Sequence, residues 1–128
     1  MCYLAGIEKF AVPRLSAALT AVGYPIPKIV NGVRVTELGL VKPRVLVIDL
    51  DSLDGDRFEL IRQLRFVLPD CNIAVFTANL AREWATKCHL SGANCLLAKT
   101  SDASRIAAGL KQARDFGCFT DPAFGGVS

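Results

Sequence analysis

The strongest constraint on the fold is a regular alternation between short apolar runs and longer segments with helical periodicity. Strand-like runs are separated by segments in which apolar residues recur every three or four positions. Several runs are continuously apolar, as expected of strands covered by helices on both faces. This alternation predicts a three-layer α/β domain with a parallel sheet and right-handed crossovers. The five predicted strands lie at residues 3–7, 28–30, 45–48, 73–76 and 95–98.

Helix-breaking and helix-capping residues fall between these segments. Gly92 is placed to end the fourth helix, and Ser101 or Asp102 is the expected N-cap of the fifth. The predicted domain covers residues 1–116. Residues 117–128 are rich in glycine and are expected to form a tail or the start of a linker to an output domain.

Composition limits the class of protein. A chain of 128 residues suits one domain, and its apolar runs stop far short of the ~20 residues that a membrane span requires. The first residues do not resemble a secretory signal, so we expect a cytoplasmic protein. The five cysteines are odd in number and include no C-x-x-C pair, which argues against a disulfide framework and a zinc site.

The positive charges do not indicate that this domain binds DNA by itself. The net charge is only +3, and the Lys and Arg residues are scattered along the chain. Arg62 and Arg65, for example, are predicted to lie on the solvent-facing side of one helix.

Three polar side chains follow successive strand-like runs. They are Asp49, Thr77 and Lys99. In an open parallel sheet the carboxyl ends of neighbouring strands line one crevice, so we expect these side chains to lie close together. A carboxylate flanked by a hydroxyl and an ammonium group is suited to accepting and holding a phosphoryl group.

Four short motifs carry a family resemblance: Val45 to Asp49, Thr77-Ala78, Gly92-Ala93 and Lys99. With these motifs the chain resembles the receiver domains of bacterial two-component response regulators, especially the NarL/FixJ group. The resemblance implies a CheY-like, flavodoxin-like (βα)5 sandwich with a five-stranded parallel sheet in the order 2-1-3-4-5, and a signalling role without enzymatic activity. It also implies that Asp49 holds the phosphoacceptor position and that Thr77 and Lys99 contact the phosphoryl group.

The chain departs from the family pattern around the metal site. The family ends its first strand with two adjacent acids that hold magnesium, whereas this chain has Ile7-Glu8-Lys9. Glu8 and Asp49 remain as candidate metal ligands, and Lys9 would repel a cation or pair with Asp49. We therefore expect magnesium binding to be weak or lost, with no other cofactor. The aromatic switch residue three positions before the family's lysine is Leu96 here.

These departures predict an atypical receiver, or pseudo-receiver, that works through protein contacts with little phosphorylation. We expect a homodimer or another protein partner, DNA contact only through a separate output domain, and no membrane association. The resemblance places the contact surface on the fourth helix, fifth strand and fifth helix, where it would include Trp84, Lys87 and part of the helix from 102 to 116, with the first and fifth helices as the alternative. Trp84 either makes contacts or simply covers the edge of its helix.

Other interpretations stay open at this stage. A conventional magnesium-dependent receiver would bind the metal through Glu8, Asp49 and a backbone carbonyl near Asp51. An acidic cluster of Glu8, Asp51, Asp54 and Asp56 could supply another metal site, although a solvated acidic turn is the simpler interpretation. A small flavodoxin-like enzyme or nucleotide-binding protein is disfavoured, because no glycine-rich phosphate loop follows the first strand.

Overall fold

A six-stranded parallel sheet forms the centre of the computed structural model, which describes residues 1–125. The strands are β1 (Cys2–Ala5), β2 (Lys28–Val30), β3 (Val45–Asp49), β4 (Asn72–Thr77), β5 (Cys95–Ala98) and β6 (Phe119–Thr120). The helices are α1 (Val12–Ala21), α2 (Val35–Val41), α3 (Arg57–Val67), α4 (Arg82–Ser91) and α5 (Ala103–Phe116). Short 3-10 turns lie at Lys9–Ala11 and Leu50–Ser52. No helix in the described part of the chain is both long and apolar enough to cross a membrane.

The sheet has the order β2-β1-β3-β4-β5-β6. This confirms the predicted three-layer fold and the order 2-1-3-4-5, but the predicted number of strands is wrong by one. The sixth strand falls in the segment expected to be a tail. The Phe119 N–H donates to Asn94 O at 2.9 Å, and the Asp121 N–H donates to Leu96 O at 3.0 Å. A strand of two residues shows no periodicity in the sequence, so only these contacts reveal it.

Buried polar contacts also hold the chain after β6. The Asp121 carboxylate is buried and accepts hydrogen bonds from Ser101 Oγ at 2.6 Å and from Arg105 at 3.1 Å. Of the two predicted N-cap candidates for α5, Asp102 is the cap, and its side chain accepts from the Arg105 N–H at 2.9 Å. The sheet therefore extends past residue 116, and the part of the predicted tail at residues 126–128 lies outside the described residues.

The core has two halves, one on each face of the sheet. Alternate residues of each strand point to opposite faces, so Leu97 packs toward α1 and α5 whereas Leu96 packs toward α3 and α4. Both leucines are fully buried. Burial on both faces explains why the central strands are continuously apolar.

Arg65 corrects the prediction of a solvent-facing arginine pair. The Arg65 side chain is half-buried and joins the end of α3 to the loops that flank β4 and β5. Its guanidinium donates to the Leu68, Pro69, Cys71 and Gly92 carbonyls and to Asn94 Oδ1, at 2.8–3.2 Å. Arg62 is exposed as predicted and pairs with Glu59 at 3.0 Å. Helical periodicity cannot distinguish the two residues, because the acceptors of Arg65 lie at the end of α3 and in the loops that precede β4 and β5.

Candidate functional site

The predicted site residues lie at the carboxyl edge of the sheet. Asp49 ends β3, Thr77 ends β4, and Lys99 directly follows β5. Asp49 is paired with Phe76 across the sheet, and Thr77 with Ala98, so the three polar residues lie at nearly the same level. The Lys99 N–H also donates to Thr77 O at 3.0 Å, which fixes the backbone from which the lysine side chain extends.

Both carboxylate oxygens of Asp49 are engaged. Oδ2 lies 2.9 Å from Lys99 Nζ, and Oδ1 accepts a hydrogen bond from the Asp51 N–H at 3.0 Å. The second contact caps the 3-10 turn at residues 50–52. The Asp49 side chain is only 2% exposed. Asp49 is therefore a buried, paired carboxylate with little surface open to solvent.

Asp51 has a role in the site that the sequence did not predict, because it was considered there only as a member of an acidic cluster. Its Oδ1 accepts a hydrogen bond from Thr77 Oγ1 at 2.5 Å. Its Oδ2 accepts from the Ala78 N–H at 2.8 Å and lies 3.1 Å from Lys99 Nζ. Asp51 thus links Thr77 to Lys99. The available sequence signal was an acid two residues after a strand-end acid, since a tight turn can fold that side chain back over the strand ends.

The turn that carries Asp51 is attached on two sides. Ser52 Oγ lies 3.1 Å from Asp49 O and 3.2 Å from Gly6 O, which follows β1, so its one hydroxyl hydrogen is placed between two carbonyl acceptors. Across the site, Arg14 of α1 donates to the Lys99 and Ser101 carbonyls, each at 2.8 Å. The surrounding backbone therefore holds both the carboxylate and the ammonium group in place.

Electrostatics favour the charged forms of Asp51 and Lys99. Burial acts to raise the pKa of Asp51, but the hydrogen bonds from Thr77 and Ala78 and the charge of Lys99 outweigh it, so the pKa lies below the ordinary value. Burial acts to lower the pKa of Lys99, but Asp49 and Asp51 outweigh it, so that pKa is raised. One ammonium group is thus shared by two carboxylates.

The acidic residues that the sequence analysis offered as metal ligands lie in different settings. Within residues 1–125, no three His, Cys, Asp or Glu side chains are grouped so that they could hold a metal ion. Glu8 and Lys9 are exposed where the first 3-10 turn begins. The Asp56 carboxylate instead caps α3, accepting from backbone N–H groups at 3.0 and 3.1 Å. The ammonium group that pairs with Asp49 belongs to Lys99.

The two predicted switch or interface residues have different environments. Leu96 is completely buried in β5, so its side chain contributes no accessible surface to an interface. Trp84 is half-buried on α4, with its ring 5.1 Å from that of Phe58 at an angle of 70°. Trp84 therefore packs across the gap between α3 and α4, and a role in partner contacts stays a prediction.

Comparison with known proteins gives structural neighbours only. No protein-family model matches the chain, and no curated protein matches it. The fold is similar to the isolated receiver domain of RcsB from Salmonella enterica serovar Typhimurium, solved with the phosphomimetic BeF3− (TM-score 0.78, 18% identity, 96% of this chain and 94% of that chain). It is also similar to the beryllofluoride-activated NtrC4 receiver domain dimer (TM-score 0.76, 25% identity, 89% and 95%). A third neighbour is a putative pilus assembly-related protein from Burkholderia pseudomallei (TM-score 0.72, 15% identity, 94% and 92%).

These similarities show the fold of this chain. It is the flavodoxin-like fold of response-regulator receiver domains, as the motifs around Asp49, Thr77 and Lys99 predict. The NarL/FixJ subgroup and the atypical character of the site stay predictions.

Proposed function

We propose that this chain is a signalling module of the response-regulator class that acts through protein contacts, with little or no magnesium-assisted phosphorylation. The observation that carries the proposal is the state of Asp49. Its carboxylate is 2% exposed and is held by Lys99 on one oxygen and by the Asp51 N–H on the other. A phosphoryl donor must reach one of these oxygens, and catalysis of that transfer rests on positioning and on neutralising charge.

The surrounding charges support weak magnesium binding. Magnesium gives up its water ligands reluctantly and is usually held by one or two carboxylates together with other ligands. Here the nearest second carboxylate, that of Asp51, already accepts from Thr77 and Ala78 and pairs with Lys99. A metal at Asp49 would have to break these contacts or compete with the Lys99 ammonium group. The conventional magnesium-dependent receiver is therefore the less favoured alternative.

Protein contact is the proposed output. Leu90 on α4 is 82% exposed and Phe116 at the end of α5 is 80% exposed, on the helices that border β5. Contiguous apolar patches mark contact sites, whereas single exposed apolar side chains are common on any protein surface, so Leu90 and Phe116 are the positions at which to test this proposal. We favour self-association or partner binding through the predicted surface of α4 and α5, where β6 instead of β5 forms the edge of the sheet. Phe10, which precedes α1 and is 79% exposed, marks the alternative surface of α1 and α5.

The structural neighbours allow more than one kind of partner. They include a receiver domain dimer and a pilus assembly-related protein, so the reader of this domain need not be a DNA-binding domain. On this proposal DNA contact arises only through a separate output domain, and the module works in the cytoplasm without a membrane partner.

Phosphodonor labelling tests the proposal. The wild type and Asp49→Asn are incubated with acetyl phosphate and millimolar magnesium, and intact mass is measured. A conventional receiver domain treated in parallel shows that the donor is active. We expect no stoichiometric addition of a phosphoryl group to either form of this chain. Stoichiometric labelling of the wild type that disappears in Asp49→Asn would establish the conventional receiver instead.

A further inference from the structure

Three hydrogen-bond donors at the sheet edge converge on a single carboxylate. They are the Thr77 hydroxyl, the Ala78 N–H and the Lys99 ammonium group, at 2.5, 2.8 and 3.1 Å from the Asp51 carboxylate oxygens. A hydroxyl, a backbone N–H and a cation directed at one point form an anion-binding site. The resemblance to receiver domains assigns Thr77 and Lys99 to the phosphoryl group, so Asp51 accepts from donors that would otherwise hold that group.

The donors are positioned independently of Asp51. Thr77 is fully buried in β4, and the Lys99 backbone is held by Thr77 O and by Arg14. Asp51 instead comes from the 3-10 turn after β3. Removing its carboxylate should therefore leave the donors in place, because their positions depend on the sheet and on α1.

The site is also accessible from solution. The Asp51 side chain is 29% exposed, so the position of its carboxylate borders solvent. The charges permit replacement, because an oxyanion would restore the negative charge that Asp51 now brings to Lys99. Without Asp51, the Thr77 hydroxyl and the Ala78 N–H would each lack the acceptor that they have now. A small oxyanion would supply that acceptor.

We propose that the Asp51 carboxylate is a built-in ligand that fills an oxyanion site formed by Thr77, Ala78 and Lys99, in the place where a receiver would hold a phosphoryl group. This inference rests on the proposed function and deepens it. A domain that carries its own anion keeps Thr77 engaged without any added group. An external phosphoryl group shifts the balance between two conformations of the domain only by binding one of them more tightly. To reach Thr77, Ala78 and Lys99, it has to displace the Asp51 carboxylate first.

Phosphate titration of matched variants tests the built-in ligand. The wild type, Asp51→Ala and Asp54→Ala are titrated with inorganic phosphate at constant ionic strength, and backbone amide chemical shifts are followed by NMR. Asp54→Ala removes the same charge from an exposed position in the same loop. We expect saturable shifts at the amides of Ala78 and Asn79 in Asp51→Ala, with phosphate binding at least tenfold tighter than in the wild type or Asp54→Ala.

Two results would overturn the inference. The first is a folded Asp51→Ala that binds phosphate no better than Asp54→Ala. The second comes from an acid titration of the wild type alone, so it applies even if Asp51→Ala does not fold. If the chemical shift of the Ala78 amide does not follow the ionisation of Asp51, the two groups are not in contact. Labelling of Asp49 in the wild type would defeat the proposed function, whereas the phosphate comparison concerns Asp51 alone, so the two failures are distinguishable.

Discussion

Replacing Arg65 should destabilise the protein far more than replacing Arg62, although both arginines lie on α3. The Arg65 guanidinium lies within hydrogen-bond distance of five oxygens outside the helical pattern of α3, three of which share the two hydrogens of Nη1. A hydrogen bond to a charged group contributes about 1.5–3 kcal/mol. These bonds are only partly buried, and water replaces part of each, so we take less than about 1 kcal/mol per bond. Arg65→Ala is therefore expected to cost roughly 2–4 kcal/mol.

Arg62 provides the matched control. Its pair with Glu59 is about half exposed on both sides, so Arg62→Ala should change stability by less than about 0.5 kcal/mol. Arg65→Lys keeps the charge but loses the planar guanidinium group. We expect its loss of stability to be more than half of the loss caused by Arg65→Ala. Urea unfolding monitored by circular dichroism measures all three variants, on the two-state assumption for one small domain.

At about 4 °C per kcal/mol for a domain of this size, Arg65→Ala should lower the Tm by roughly 8–16 °C. Equal destabilisation by Arg62→Ala and Arg65→Ala would refute the reasoning, because it would mean that the bonds to the loops flanking β4 and β5 do not form. Full retention of stability in Arg65→Lys would show that charge alone matters.

The remaining predictions concern the site, one tight turn and the contact surface. Folding lowers the pKa of Asp51, so the stability that its carboxylate contributes is present above the unfolded pKa of about 3.9 and is lost as pH falls through the folded value. In urea unfolding, the difference in stability between the wild type and Asp51→Ala should therefore be full at pH 7 and shrink below about pH 4. Gly92→Ala should cost at least about 2 kcal/mol, since φ is +126° and the new Cβ would lie 2.7 Å from Arg65 Cβ. Gly23 has φ +89° and open space around it, so Gly23→Ala should cost only about 1 kcal/mol. Urea unfolding compares the two variants, and equal losses of stability would contradict the close approach of Gly92 to Arg65. In analytical ultracentrifugation Leu90→Ser should weaken association while Phe10→Ser should not, and the reverse result would assign the contact to α1 and α5.

The strand order and the positions of the strand-end residues could be predicted from the sequence. Continuous apolar runs identify strands that are buried on both faces, and a parallel sheet brings their carboxyl ends together. Asp49, Thr77 and Lys99 are at that edge for this reason. These features repeat along the chain, so a local pattern is enough to find them.

The contacts that give the site its character could not be predicted in the same way. The Asp51 carboxylate reaches Thr77 only because the turn at residues 50–52 folds back over the sheet edge, and no periodicity reports the direction of one side chain. The same limit hid β6, whose two residues pair with Cys95 and Leu96 of β5. Both features depend on contacts between residues far apart in the sequence.

Sedimentation velocity of the wild type and Asp49→Asn, each with and without acetyl phosphate and magnesium, tests the central claim most directly. We predict self-association with the same dissociation constant in all four samples, because the contact surface does not depend on a group added to Asp49. A wild type that is strictly monomeric alone and dimerises only with the phosphodonor, while Asp49→Asn stays monomeric, would contradict it.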